Sequence, residues 1–313
     1  MTRRELLGAA AFAGVQPAQP TAFQLGCMTI TYSAFPFERA LQGIAAAGYR
    51  YVGWGTTHPG RDGKRTPVIA EDAPPSEARR VAQMCRDAGL TPVMMFSLVY
   101  VAAPESVKVH TRRIEQAAAA GIPFIITFGE IDKSGSSGIE TWVKNLKQLG
   151  PIARHAGVTL VLKQHGGETA TGRDCSRIIA AVREEGVKMC YDAGNVLDYQ
   201  NADPIADIQA CWHDIRAFAI KDHRNTPKDE DCGPGFGEID HYKLFMPVMR
   251  TGLTIPLVCE NIFEPLAPRP SRPEGVDALA RRAREFLETV LRGLESYGSS
   301  AASSGFSRHS LPA

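Results

Sequence analysis

The sequence predicts an α/β fold, a single (β/α)8 TIM barrel, and three observations carry that expectation. One pattern recurs along the chain: a helix-like stretch closes on a glycine, and an apolar, strand-forming run follows within a few residues. Eight such runs can be found, spaced as strands with a helix between each pair, which suits right-handed βα units closing into a ring. No GxGxxG follows the first of them, as an open dinucleotide-binding sheet would require.

The first strand lies in "FQLGCMTITY" (23–32), ahead of any helix. "ALQGIAAAGYRYVGW" (40–54), "ARRVAQMCRDAGLTPVMMF" (78–96) and "IEQAAAAGIPFIITFGE" (114–130) then each pair a helix with the strand that follows it. "LGPIARHAGVTLVLKQH" (149–165), "RIIAAVREEGVKMCYD" (177–192) and "FMPVMRTGLTIPLVCE" (245–260) repeat the arrangement, while "IRAFAIKDH" (215–223) supplies the seventh strand without the glycine. Gly48, Gly89, Gly121, Gly157, Gly186 and Gly252 are expected in the left-handed conformation that ends a helix.

The ends read differently from this body. "MTRRELLGAAAFAGVQPAQP" places Arg3-Arg4 before a short apolar run, the pattern of a twin-arginine export signal, so residues 1–20 are set aside and a periplasmic location is expected. The barrel is expected over 21–295, and the Ser-rich segment 296–313 as a disordered tail. A net charge of +1 with scattered cations disfavours a nucleic-acid or membrane-surface partner, and no apolar run is long enough to span a bilayer. Seven cysteines without CxxC spacing predict neither a zinc cluster nor a disulfide framework; Cys27, Cys190 and Cys259 read as small core residues in strands.

In such a barrel, chemistry gathers at the C-terminal ends of the strands. Those ends carry Trp54 and His58, Phe96 and Tyr100, Glu130, Lys163 and His165, Asp192 and Asn195, Lys221 to His223, and Glu260 with Asn261. Side chains alternate along a strand, and the small Ala217 and Ala219 suit the crowded interior, so Lys221 and His223 point inward and Asp222 outward. The same rule puts Lys163 and His165 on one phase. A consistent choice brings Lys163, His165, Asp192, Lys221, His223 and Glu260 to one cavity, where they would perturb one another's pKa values. Such a set suits proton abstraction beside a carbonyl, with Glu260 or Asp192 as base and Lys163 or a metal ion holding the oxyanion. Trp54, His58, Glu130, Lys221 and His223 are the candidate substrate contacts, with aromatic rings available to stack on sugar faces.

In their order and spacing, "GVTLVLKQHGG", "CYDAGN", "AIKDH", "GFGEIDH" (235–241) and "VCEN" resemble the xylose isomerase-like barrels, the family of sugar (phosphate) isomerases and epimerases, over roughly residues 23–292. The resemblance implies a divalent metal, often manganese, on four ligands: a Glu ending the fifth strand, an Asp ending the sixth, the His of an HxKD segment and a Glu on the eighth. Asp192 and Glu260 match. Lys163 stands where the first Glu would be, and Ala219 where the His would be.

Two arrangements stay open. In one there is no cofactor and the Lys163 ammonium replaces the metal's charge, or forms an imine with a ketone if burial lowers its pKa. In the other a zinc, manganese or iron ion moves outward onto Asp192, Glu260, His165 and His223. A cation beside a dication is unfavourable, so the metal-free arrangement leads. The expected activity is that of an exported isomerase or epimerase acting on a small carbohydrate. The alternatives are a lyase or hydratase on keto-sugars or 3-keto-glycosides, and a non-catalytic carbohydrate-binding barrel; a homo-oligomer is left open. An abasic-site endonuclease would need more metal-binding histidines and a basic face.

Overall fold

In the computed structural model, residues 19–60, 62–129 and 138–303 are described, with side chains as far as 296. Eight parallel strands form a closed barrel in which each pairs with its sequence neighbours: β1 (Ala22–Met28), β2 (Tyr51–Trp54), β3 (Thr91–Phe96), β4 (Phe124–Phe128), β5 (Thr159–Lys163), β6 (Val187–Tyr191), β7 (Ile215–Ile220) and β8 (Thr254–Cys259). β8 returns to β1 with Cys27 opposite Cys259, which closes the ring. Apart from two short hairpins in the loops after β2 and β7, the sheet is the TIM barrel the sequence predicts.

The barrel separates two apolar layers, and strand phase decides which side chain joins which. Val161, Cys190, Ala217, Ala219 and Val258 share a small inner cluster with Met28, Met94, Phe96 and Ile126. Leu160, Leu162, Tyr191, Phe218, Ile220, Leu257 and Cys259 pack outward against the helices. Continuing the inner phase by two residues turns Lys163, Asp192, Lys221 and Glu260 toward the mouth of the barrel. Burying Phe218 or Leu257 between strand and helix contributes about 1.5–3 kcal/mol each, so the hydrophobic pattern holds the phase, and the charged strand ends follow it.

Gly48, Gly89, Gly121, Gly157 and Gly252 lie in the left-handed region, as expected of glycines between a helix and the next strand. Gly186 does not. Its helix already ends at Val182, with Arg183 taking the left-handed position at φ 58°. Gly186 is required instead by a close approach, because a Cβ there would sit 2.1 Å from the carbonyl oxygen of Gly150. The last helix runs Pro273–Ser303, beyond residue 295 where the barrel was expected to end. Residues 1–18 of the export-signal segment 1–20 and the candidate Glu130 lie outside the described residues.

Candidate active site

Lys163, the last residue of β5, turns inward beneath the mouth and is almost wholly buried. Its Nζ lies 2.7 Å from each oxygen of Glu260 and 3.0 Å from Oδ2 of Asp192. The ring of Phe96 lies under the same ammonium, 5.8 Å away at its centroid. Asp192 is anchored from behind: Oδ1 accepts the backbone N–H of Asn195 at 3.0 Å, capping the helix Ala193–Gln200, and the Asp192 N–H is donated to Gln164 Oε1 at 2.7 Å. Asn195 also donates to the Gln164 carbonyl at 2.5 Å, so Gln164 ties the ends of β5 and β6 together.

Electrostatics divides the labour. Burial opposes the charge on Lys163, yet Glu260 and Asp192 outweigh it and hold the ammonium well above the usual lysine range. An imine needs the free amine, so imine formation with a ketone does not fit this lysine. Burial pushes the Asp192 carboxyl up despite Lys163 and Lys221. Glu260 moves the other way: burial works against its charge, but Lys163 and Lys221 hold its carboxyl below the ordinary value. Exposure separates them too. Asp192 is closed off, whereas the Glu260 side chain keeps 17% of its surface accessible.

Glu260 and Lys221 both line a cavity of about 270 Å³ with Asp231, Asn261, Arg65 and Arg269. Lys221 gives one bond to Asp231 Oδ2, at 2.6 Å, and stays cationic: burial opposes its charge, and Asp192 and Glu260 outweigh the burial. His165 stands beside the cluster, its ring 4.5 Å from Phe128 and 5.6 Å from Tyr199. Burial and the Lys163 ammonium lower its pKa, so the imidazole is neutral; its Nδ1–H is then donated to the Gly129 carbonyl at 3.1 Å, leaving the Nε2 lone pair available. Phe96, Tyr100, Phe128, His165 and Tyr199 form a continuous aromatic wall.

Three expected contacts are placed elsewhere. Trp54 shares the outer phase with Val52, and its Nε1–H points to Cys85 Sγ, 3.3 Å away in the helical layer, so it cannot meet a ligand in the mouth. His58 packs edge-on to Phe37 with Nδ1 on the Phe35 carbonyl at 2.9 Å, in a separate cavity against the helix Pro75–Asp87. His223 sits at the rim because β7 ends at Ile220 and the chain turns into the hairpin Asp222–Arg224/Glu230–Cys232, where strand phase no longer applies. Asp222 accepts the backbone N–H groups of His223, Gly235 and Ile239 at 2.9–3.1 Å and so shapes that loop.

The outward-shifted metal set of Asp192, Glu260, His165 and His223 is not assembled. Among the described residues, the one group of three donors whose ligand atoms all lie within 4.8 Å of one another is Asp198, His223 and Asp229. The strand-end carboxylates do not fit a dication either. The Lys163 ammonium already bridges them, and a dication about 4 Å from it would meet repulsion of roughly 8 kcal/mol at an effective dielectric of about 20. Sequence reasoning missed Phe128, Asp198, Tyr199, Asp229 and Asp231. The acid-rich "KDEDCG" (228–233) was the one available signal for two of them.

A closed βα barrel with titratable groups converging at its C-terminal mouth defines a class of small-molecule enzymes and binders. The chain belongs to the xylose isomerase-like TIM barrel family, whose model matches residues 41–289. A search of curated proteins found no match. Among solved structures, a xylose isomerase-like TIM barrel/4-hydroxyphenylpyruvate dioxygenase fusion protein is 18% identical with a TM-score of 0.65; 93% of this chain is covered, and it spans only 46% of the fusion protein. An L-ribulose 3-epimerase is 16% identical with a TM-score of 0.68, covering 92% of this chain and 99% of its own. The 3-keto-D-glucoside 4-epimerase from E. coli is 14% identical with a TM-score of 0.64, covering 85% and 99%. At these identities the likeness carries the fold.

Proposed function

We propose that this chain is an exported isomerase or epimerase of a keto-sugar that moves a proton beside the carbonyl without a metal ion at the strand ends. The observation that carries this reading is the Lys163 ammonium lodged between Glu260 and Asp192, at 2.7 and 3.0 Å, where it supplies the positive charge those carboxylates need. Lys163 keeps Glu260 ionised and fixed at the cavity wall. Glu260 is the accessible carboxylate and takes the proton from the carbon next to the carbonyl. Lys221, with N–H bonds to spare beyond Asp231, donates to the carbonyl oxygen as negative charge develops there. The neutral His165 accepts the proton of the neighbouring hydroxyl at Nε2 and passes it to the carbonyl oxygen, Glu260 returns its own proton to carbon, and the aromatic wall packs against the sugar face. Asp192, closed off and paired to Lys163, positions that lysine. Arg3-Arg4 supports the export assignment.

The test is hydrogen exchange. Chelator-treated protein is incubated with ketohexoses and 3-keto-glycosides in D2O, and NMR reads deuterium at the carbon beside the carbonyl. Exchange is expected without added metal and should fall roughly 100–10,000-fold in Glu260→Gln. Exchange that requires a metal and survives Glu260→Gln would overturn the mechanism. Sugar binding with no exchange would identify a carbohydrate-binding barrel, a reading favoured by one observation: carboxylate oxygens occupy the bonding directions of Lys163.

A further inference from the structure

We propose that Asp198, His223 and Asp229 form a rim site for a divalent transition-metal ion, of the zinc class, distinct from the Lys163 cluster. Asp198 comes from the helix Ala193–Gln200 that follows β6. His223 and Asp229 come from the hairpin after β7, Asp229 immediately preceding its second strand. One ligand atom from each lies within 4.8 Å of the other two.

The imidazole is what points to a ligand. His223 is 1% exposed, and its Nε2 is buried without a hydrogen-bond partner. Asp229 Oδ1 lies 3.3 Å from that nitrogen, out of line for a hydrogen bond. The separation suits two donors on one ion instead, since bonds of about 2.0–2.1 Å in a tetrahedral shell space their donors roughly 3.3 Å apart.

The opposite ring nitrogen is arranged as metal-bound histidines require. Nδ1 faces Asp231 Oδ1 at 3.1 Å, directly across the hairpin, where His223 and Asp231 are paired residues. A carboxylate accepts only, so the ring proton sits on Nδ1 and the Nε2 lone pair faces Asp229. Asp231 cannot turn away, because its other oxygen is held by Lys221 at 2.6 Å. One imidazole and two carboxylates select zinc or manganese over magnesium, which prefers an all-oxygen shell. Asp229 is largely exposed, so the remaining coordination position opens to solvent or to a sugar hydroxyl.

Bound there, the ion would clamp the hairpin to the helix at the edge of the cavity that Lys221 and Asp231 line. The site does not depend on the proton-transfer reading, and its test has a separate readout. The full chain, stripped with chelator, is dialysed to equilibrium against buffered zinc alone. One equivalent per chain is expected. Asp229→Asn, a surface change that leaves the fold intact, should weaken binding at least roughly tenfold, and Asp231→Asn, which removes the carboxylate that orients the imidazole and also pairs with Lys221, roughly 10–100-fold. Asp192→Asn should bind zinc as the wild type does. Absence of stoichiometric zinc would overturn the proposal. So would an equivalent that survives Asp229→Asn and Asp198→Asn but is lost in Asp192→Asn.

Discussion

Replacing Lys163 by methionine keeps most of the side chain's length and removes its charge, leaving Asp192 and Glu260 without the ammonium they share. Removing one partner of a buried pair typically costs about 3–5 kcal/mol. Here the loss falls unequally. Glu260 retains accessible surface and Lys221 nearby, whereas Asp192 is wholly enclosed. The loss also has a ceiling, because Asp192 can neutralise itself by taking up a proton. Starting from its ordinary value of 3.8, at about 1.36 kcal/mol per pH unit, holding that proton costs roughly 4 kcal/mol at pH 7 and roughly 2 kcal/mol at pH 5.

The sign follows from linkage. In Lys163→Met the folded Asp192 binds a proton that the unfolded chain releases. Stability is therefore retained below the unfolded value and lost as pH rises toward the folded one. Urea unfolding of wild type and variant from pH 5 to 8 should show a deficit that grows with pH by roughly 1.4 kcal/mol per unit until it levels off. A deficit independent of pH, or below about 1 kcal/mol at pH 7, would refute the claim that this ion pair is enclosed and formed.

Two further outcomes follow from the same geometry. Trp54→Phe should leave the KM for a keto-sugar unchanged while lowering stability by about 1 kcal/mol in urea unfolding, because its ring and its bond to Cys85 belong to the helical layer; a raised KM would return Trp54 to the ligand site. Lys163→Glu places a third carboxylate against Asp192 and Glu260 and should create a need for a dication. Manganese at a hundredfold excess over its Kd should then restore about 2.7 kcal/mol in thermal unfolding, with no such gain at this position in the wild type.

The ring of strands and the phase of each were legible because both are written in apolar periodicity. Ala217 and Ala219 inside against Phe218 and Ile220 outside is a pattern that hydrophobic burial enforces locally. That phase placed Lys163, Asp192, Lys221 and Glu260 together from sequence. The same phase turns Trp54 outward with Val52, so its place at a strand end was no evidence of a contact; the rule itself stops at His223, which lies beyond the point where β7 gives way to a hairpin. Asp198, Tyr199 and Asp231 reach the mouth through a helix and a loop whose paths are fixed by tertiary contacts, such as the backbone bonds to Asp222, which leave no period in the sequence. The division of labour among the charges was likewise out of reach, since it depends on depth. Two carboxylates at the ends of their strands look equivalent in sequence, yet one is sealed beneath the ammonium with its carboxyl raised, and the other opens to the cavity with its carboxyl lowered. In the proposed mechanism that difference decides which acid can reach a substrate carbon. A lysine in place of a ligand therefore need not mark a decayed site, because its charge keeps the reachable carboxylate ionised.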